Sequence, residues 1–185
     1  ILAITRKIVV ADKFTRAGLF TGWAPNLFLG TELADKTLGI IGMGRIGQAV
    51  AKRARAFGMN IVYHSRSDKN IQDATFISLN ELLKNSDIVS LHTPLTETTM
   101  HLIKQEQFAL MKKTAYLINT TRGPVVKEID LLNALKSNAI AGAGLDVYEQ
   151  EPLLTPGLTM LDNIIVLPHI GSATVETREK MALMA

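Results

Sequence analysis

Arg122 in the run INTTRGPVV, Glu151 in DVYEQEP and His169 in LPHIGSAT are the side chains of this sequence best equipped for chemistry. An arginine grips a carboxylate through two parallel hydrogen bonds, and a histidine exchanges protons near neutral pH. A glutamate beside that histidine keeps it protonated. Such a set suits hydride transfer on a small 2-oxo or 2-hydroxy acid, where one group holds the acid and another handles the proton that accompanies the hydride. Taken singly, an arginine before Gly-Pro is a turn residue, a glutamate before proline is exposed, and a histidine after proline has no required role. Their joint occurrence after strand ends carries the argument, because ligands of open α/β sheets collect at the carboxyl ends of the strands.

The strands are read from short, near-continuous apolar runs: Leu38–Ile41, Asn60–Tyr63, Ile88–Leu91, Ala115–Ile118, Ala143–Asp146 and Ile164–Leu167. Between them lie helix candidates. Arg45 to Phe57 sets Ile46, Ala49, Val50 and Phe57 on one face, Ser78 to Glu81 forms a capping box, and a further helix is expected from Glu128 to Lys136. This alternation predicts an α/β fold, a Rossmann-type doubly wound parallel sheet forming a single dinucleotide-binding domain.

The segment Gly42-Met43-Gly44-Arg45-Ile46-Gly47 is a G-x-G-x-x-G that follows the first strand and opens the best helix candidate. Gly42 permits the tight turn, Gly44 lets backbone approach a pyrophosphate, and Gly47 lets helix and strand pack closely. The free N–H groups of Arg45, Ile46 and Gly47 at the helix start then face the phosphates. Sites that bind NAD usually place an acidic residue at the end of the second strand, about 20 residues on, to hold the ribose 2′-hydroxyl. Here that strand runs into Tyr63-His64-Ser65-Arg66-Ser67, and no carboxylate appears before Asp68. An arginine attracts a 2′-phosphate that an acidic residue would repel. Ser65, Arg66 and Ser67 therefore predict a preference for NADP(H), with NAD(H) possible in a permissive site.

Composition bounds the alternatives. Hydrophobic residues make up 47% and charged residues 20%, as in a soluble globular domain. A balance of 20 basic against 17 acidic residues, with no basic run, gives no footprint for nucleic acid. No run is long and apolar enough to span a membrane. The chain has no cysteine, which removes disulfides and thiolate chemistry and is compatible with a reducing, cytoplasmic setting. Its 4 histidines lack ligand spacing, so no metal is expected. His64 is a candidate for cofactor contact, while His92 and His101 read as structural or exposed.

GMGRIGQA, HTPLT, INTTRGPVV, GLDVYEQEP and LPHIGSAT stand in the order and approximate spacing of the D-isomer-specific 2-hydroxyacid dehydrogenases, and the chain resembles that family over essentially its whole length. Within the family it is most similar to the glyoxylate/hydroxypyruvate reductase branch, which includes 2-ketogluconate reductases. The resemblance implies that Arg122 binds the substrate carboxylate, that His169 is the acid/base and that Glu151 is its acidic partner. It further implies that Thr93 and Pro94 lie beside the adenosine, Asp146 near the carboxamide, and Thr121, Gly171 and Ser172 at the nicotinamide end. An NAD-dependent 3-phosphoglycerate-type dehydrogenase and a dinucleotide-sensing corepressor-like interaction module are the alternatives.

Residues 1–35 read as a linker helix, from Ile1 to Ala17, and an irregular dimerisation arm, from Leu19 to Asp35. The dinucleotide-binding domain follows over residues 36–171, and residues 172–185 open a C-terminal helix. The resemblance implies a homodimer. It also implies that the substrate-side domain of relatives is absent here, so that this chain is expected to bind cofactor and turn over poorly.

Overall fold

All six apolar runs become strands of one sheet, each within a residue of its expected bounds. The computed structural model describes residues 1–184. The strands are β1 (Thr37–Ile41), β2 (Asn60–His64), β3 (Thr75–Phe76), β4 (Ile88–Leu91), β5 (Tyr116–Asn119), β6 (Gly142–Leu145) and β7 (Ile164–Val166). Every pairing is parallel and the order is β3-β2-β1-β4-β5-β6-β7. From β1 the chain first builds outward to β2 and β3, then returns to add β4 through β7 on the other side. The reversal between β1 and β4 is the switch point at which a doubly wound sheet opens a crevice.

The helices are α1 (Leu2–Thr5), α2 (Ile8–Arg16), α3 (Arg45–Ala56), α4 (Leu79–Asn85), α5 (Gln105–Phe108), α6 (Glu128–Lys136) and α7 (Val175–Met184), with α3 packed on one face of the sheet and α4 and α6 on the other. Strand side chains alternate between the faces, as a two-residue period requires. Leu38 and Ile40 pack with Ile61, Tyr63, Ile88 and the α3 alanines Ala51 and Ala54. Ile41 points the other way, into a cluster with Leu82, Leu91, Leu117, Leu131 and Leu135. The Ser78 box forms as expected, its hydroxyl accepting from the Glu81 N–H at 3.3 Å while the Glu81 carboxylate accepts from the Ser78 N–H at 3.1 Å.

Two expectations are corrected. The face of α3 expected to be buried is largely exposed, with Ile46 at 68% and Phe57 at 50%. The buried residues are instead Gly47, Ala51 and Ala54, because α3 runs close over the sheet: a Cβ on Gly47 would stand 2.3 Å from the Gly42 carbonyl oxygen. The N-terminal helix is also not continuous. It breaks at Lys7, which is left-handed with φ 53°, and the Thr5 carbonyl accepts the Thr31 N–H at 2.8 Å. The irregular arm thus ties itself to the end of α1. At the other terminus α7 ends at Met184, and Ala185 lies outside the described residues. Among the described residues no helix is long and apolar enough to cross a membrane.

Candidate active site

Because every strand runs the same way, the segments that follow β1, β4, β5, β6 and β7 gather along one edge of the sheet. The first feature there is the glycine turn. Gly42 has φ 99°, and a Cβ on it would lie 2.6 Å from the His92 carbonyl carbon and oxygen. Only glycine allows both the turn and the close approach of β1 to the segment after β4. A Cβ at Gly44 would meet nothing within 4 Å, which leaves the backbone open at the start of α3.

A groove runs along this edge in two connected sections. The first, about 570 Å³, is lined by Gly42, Met43, Gly44, Ser65, Arg66, Lys69, His92, Thr93, Pro94, Thr96, Thr98 and Thr99. The second, about 410 Å³, shares His92, Thr93 and Pro94 and continues to Ile46, Thr120, Thr121 and Arg122. The exposed Ile46 that failed as a core residue is therefore a groove residue. Among the expected cofactor residues, Gly42, Gly44, Ile46, Ser65, Arg66, Thr93, Pro94 and Thr121 line this groove. Arg45, Gly47, Ser67, Asp146, Gly171 and Ser172 do not. Lys69, Thr96, Thr98 and Thr99 line it without having been singled out in the sequence.

The chemistry-bearing loops are held by a dense set of hydrogen bonds. After β5, the buried Asn119 side chain accepts the Thr121 N–H at 3.1 Å and donates to the Arg122 carbonyl at 3.1 Å. Next to it, Gly123 packs so tightly that a Cβ there would fall 1.7 Å from the Tyr148 carbonyl oxygen. This contact seats the Arg122 loop on the loop that leads to Glu151. After β6, Asp146 accepts the Ile170 N–H at 2.8 Å and the Gly171 N–H at 2.6 Å, and Tyr148 donates to the Leu167 carbonyl at 2.6 Å. These bonds hold His169, which is left-handed with φ 53°. That conformation is uncommon for a residue with a side chain and persists only where neighbours enforce it.

His169 Nδ1 lies 2.7 Å from Glu151 Oε1, with about half of the imidazole (48%) and 39% of the carboxylate side chain exposed. The bond leaves Nε2 free to face a reactant, and the proton position on the ring follows from that partner. Arg122 is not bonded to either residue; its guanidinium donates to the Thr121 carbonyl at 2.7 Å and lines the groove.

A buried carboxylate missed in the sequence organises the Glu151 loop. Glu128, at the start of α6 and only 2% exposed, accepts from the Glu149 N–H, from the Thr155 N–H at 3.1 Å and from the Thr155 hydroxyl at 2.8 Å. Glu149 reciprocates by accepting the Glu128 N–H at 2.9 Å and pairs with His101 Nε2 at 2.6 Å. His101 is thus structural, as expected. His64 bonds the Ile77 carbonyl through Nδ1 at 3.1 Å and stacks on Phe76, so it serves the sheet edge.

His92 departs from its expected bland role. It lines both groove sections, its Nε2 sits 2.9 Å from Ser90 Oγ, and its Nδ1 and the Thr93 hydroxyl are buried without a partner. Polar atoms left unpaired at the wall of a groove are suited to a bound molecule's donors and acceptors. Burial pushes the His92 imidazole down to about 4. A histidine held neutral in the fold binds its proton more readily when unfolded, so its contribution to stability is complete above about pH 6.5 and is lost as pH falls towards 4. Asp68 and Glu81 are held low by hydrogen bonds from the Tyr63 and Ser78 hydroxyls, and their contributions fade only at the lower pH of ordinary carboxylates. Melting temperature should therefore fall between pH 6.5 and 4 by the equivalent of roughly 1–3 kcal/mol, and His92→Gln should flatten that limb. An unchanged limb in the variant would place the acid sensitivity elsewhere.

A parallel sheet of this order, with a glycine turn at its switch point, defines a dinucleotide-binding α/β domain, and the imidazole–carboxylate pair follows strand ends on the same edge. Residues 1–171 match the model of the D-isomer specific 2-hydroxyacid dehydrogenase, NAD binding domain. The chain belongs to the D-isomer-specific 2-hydroxyacid dehydrogenase family. It is 52% identical over 190 residues to the glyoxylate reductase of Thermococcus litoralis, covering 98% of this chain and 57% of that protein. The solved glyoxylate reductase from Paecilomyes thermophila superposes with a TM-score of 0.92 at 43% identity, covering 98% of this chain and 56% of that one. An NADPH-dependent glyoxylate/hydroxypyruvate reductase from Sinorhizobium meliloti, solved with NADP and malonate, gives 0.93 at 34% identity, covering 99% and 58% respectively. The chain thus spans less than two thirds of the length of these relatives.

Proposed function

We propose that this chain is the cofactor-side part of a reductase that transfers a hydride between NADP(H) and a small D-2-hydroxy/2-oxo acid, with glyoxylate or hydroxypyruvate as substrate. The observation that carries this reading is the His169–Glu151 pair, 2.7 Å apart and on the same sheet edge as the glycine turn and Arg122. The names of the relatives from T. litoralis, P. thermophila and S. meliloti support the substrate class.

Gly42, Gly44 and the N–H groups of Arg45, Ile46 and Gly47 would hold the pyrophosphate, with Thr93 and Pro94 beside the adenosine and Thr121, Asp146, Gly171 and Ser172 towards the nicotinamide. The open backbone at Gly44 and the unpaired Thr93 hydroxyl and His92 Nδ1 fit such an occupant. When bound, the nicotinamide supplies the hydride. The chain's own residues do the rest. Arg122 holds the substrate carboxylate through its paired N–H groups. His169 delivers a proton from Nε2 to the carbonyl oxygen, and Glu151 orients the ring through Nδ1 and stabilises the imidazolium before transfer. Asp146 acts through the backbone of Ile170 and Gly171, which fixes His169 where the proton is needed.

The preference for NADP(H) rests on Ser65 and Arg66 in the groove wall, with Ser67 adjoining, and on the NADPH-dependent relative. Arg66→Ala should weaken NADPH binding about tenfold, as expected for a hydrogen bond to a charged group, and NADH binding much less. Calorimetric titration with each cofactor measures this, and equal losses would reject the assignment.

The division into arm (1–35), dinucleotide domain (36–171) and start of a C-terminal helix (172–185) is proposed on the same basis. A homodimer formed through the arm would cover the exposed Phe20, Trp23 (84% exposed) and Leu29.

A further inference from the structure

The loop that follows β2 is wound around one hydroxyl group. Tyr63 is fully buried, its ring 5.5 Å from that of Phe76, and its hydroxyl emerges beneath residues 65–70. There it donates to Asp68 Oδ1 and accepts the Lys69 N–H at 3.0 Å. The Asn70 N–H adds a bond to the same Asp68 oxygen at 2.9 Å, with Asn70 left-handed at φ 47°. Nearer the strand, the Ser65 hydroxyl donates to the Ser67 carbonyl at 2.6 Å. The outcome is a sorting of charge. Lys69 joins Ser65 and Arg66 in the groove wall, its Nζ 3.3 Å from the Ser67 hydroxyl, while Asp68, the first carboxylate after the strand, is not part of that wall.

We propose that Tyr63 is a positioning residue for cofactor choice: its hydroxyl holds Asp68 out of the 2′-phosphate site and sets Lys69 into it. The inference rests on the NADP(H) reading above and adds to it the residues that make the site cationic. Sequence position alone would not do so, since Asp68 stands between Arg66 and Lys69 on a short loop. Released from Tyr63, Asp68 is free to pair with either cation and to repel a phosphate dianion. With the bond in place, the two positive side chains Arg66 and Lys69 meet that phosphate with no carboxylate among the residues lining that section. A hydroxyl rooted in the core thus governs discrimination at the surface.

The test is calorimetric titration of the chain and its variants with NADPH and with NADH, with selectivity read as the ratio of the two dissociation constants and folding checked by the melting transition. Tyr63→Phe keeps the ring and removes both hydroxyl bonds, and it should lower selectivity roughly tenfold, mainly through NADPH. Adding Asp68→Asn to that variant should restore selectivity to within about threefold of the parent, because the freed charge is gone. A merely structural role for Tyr63 would not be rescued in this way. Lys69→Ala, at an exposed position, should weaken NADPH more than NADH even if the core variant does not fold. Undiminished selectivity in Tyr63→Phe or in Lys69→Ala, or a loss that Asp68→Asn fails to recover, overturns the proposal while the NADP(H) reading stands. A parent chain with no preference for NADPH removes that reading, and the proposal with it.

Discussion

His169→Gln should lower the rate of 2-oxo acid reduction about 10²–10⁴-fold with little change in NADPH affinity. Glutamine retains a polar side chain near Glu151 but has no proton to give to a developing alkoxide. The rate is measured in single turnover, in a polypeptide that also carries the substrate-side segment of the relatives, and affinity by calorimetry on the chain itself. Glu151→Gln should produce a smaller loss, because it weakens the bond that orients the ring while leaving the ring in place. A His169→Gln variant that reduces glyoxylate within a fewfold of the parent would mean that the proton comes from another group, and the assignment of the 2.7 Å pair as the acid/base would fail.

Glu128→Ala should destabilise the domain by about 3 kcal/mol, since it strands the Glu149 N–H, the Thr155 N–H and the Thr155 hydroxyl without their acceptor. For a chain of this size that corresponds to a fall in melting temperature of roughly 6–12 °C. Glu128→Gln should cost less, because one acceptor oxygen remains. The bonds flank Glu151 on both sides, at residues 149 and 155, so the alanine variant should also loosen the Glu151 carboxylate. A melting temperature within about 2 °C of the parent would show that the buried carboxylate is not a fastening for this loop.

These residues mark the boundary of what sequence reasoning reaches. Strand-length apolar runs, the glycine turn after β1 and the Ser78–Glu81 box are local signals, and each corresponds to an element in place. The two-residue strand Thr75–Phe76 and the four-residue helix Gln105–Phe108 are too short for any period to register. The break at Lys7 has no local signature either, because a carbonyl taken by Thr31 lies 26 positions from its partner, Thr5. On α3 the discrepancy has a different cause. Periodicity picks out large apolar side chains, whereas a helix lying close over a sheet buries small ones, so Gly47, Ala51 and Ala54 take the place expected for Ile46 and Phe57. At the site, Arg122, Glu151 and His169 could be singled out by type. The Glu128–Glu149–His101 network and the Tyr63–Asp68 bond could not, since the first exists only once three segments distant in sequence meet and the second depends on which way a loop carboxylate turns.

The half-open setting of the His169–Glu151 pair has a consequence for the rhythm of turnover. In this chain, which spans 57% of its T. litoralis relative, about half of the imidazole surface meets water, so solvent reaches the ring directly. Exposure also screens the pair's electrostatics, which gain strength only when water is displaced from around them. In the proposed reductase, the acid would then be reloaded while solvent reaches it and would deliver its proton once the bound substrate has displaced that water. The same residue would alternate between equilibrium with bulk solvent and isolation from it once per cycle.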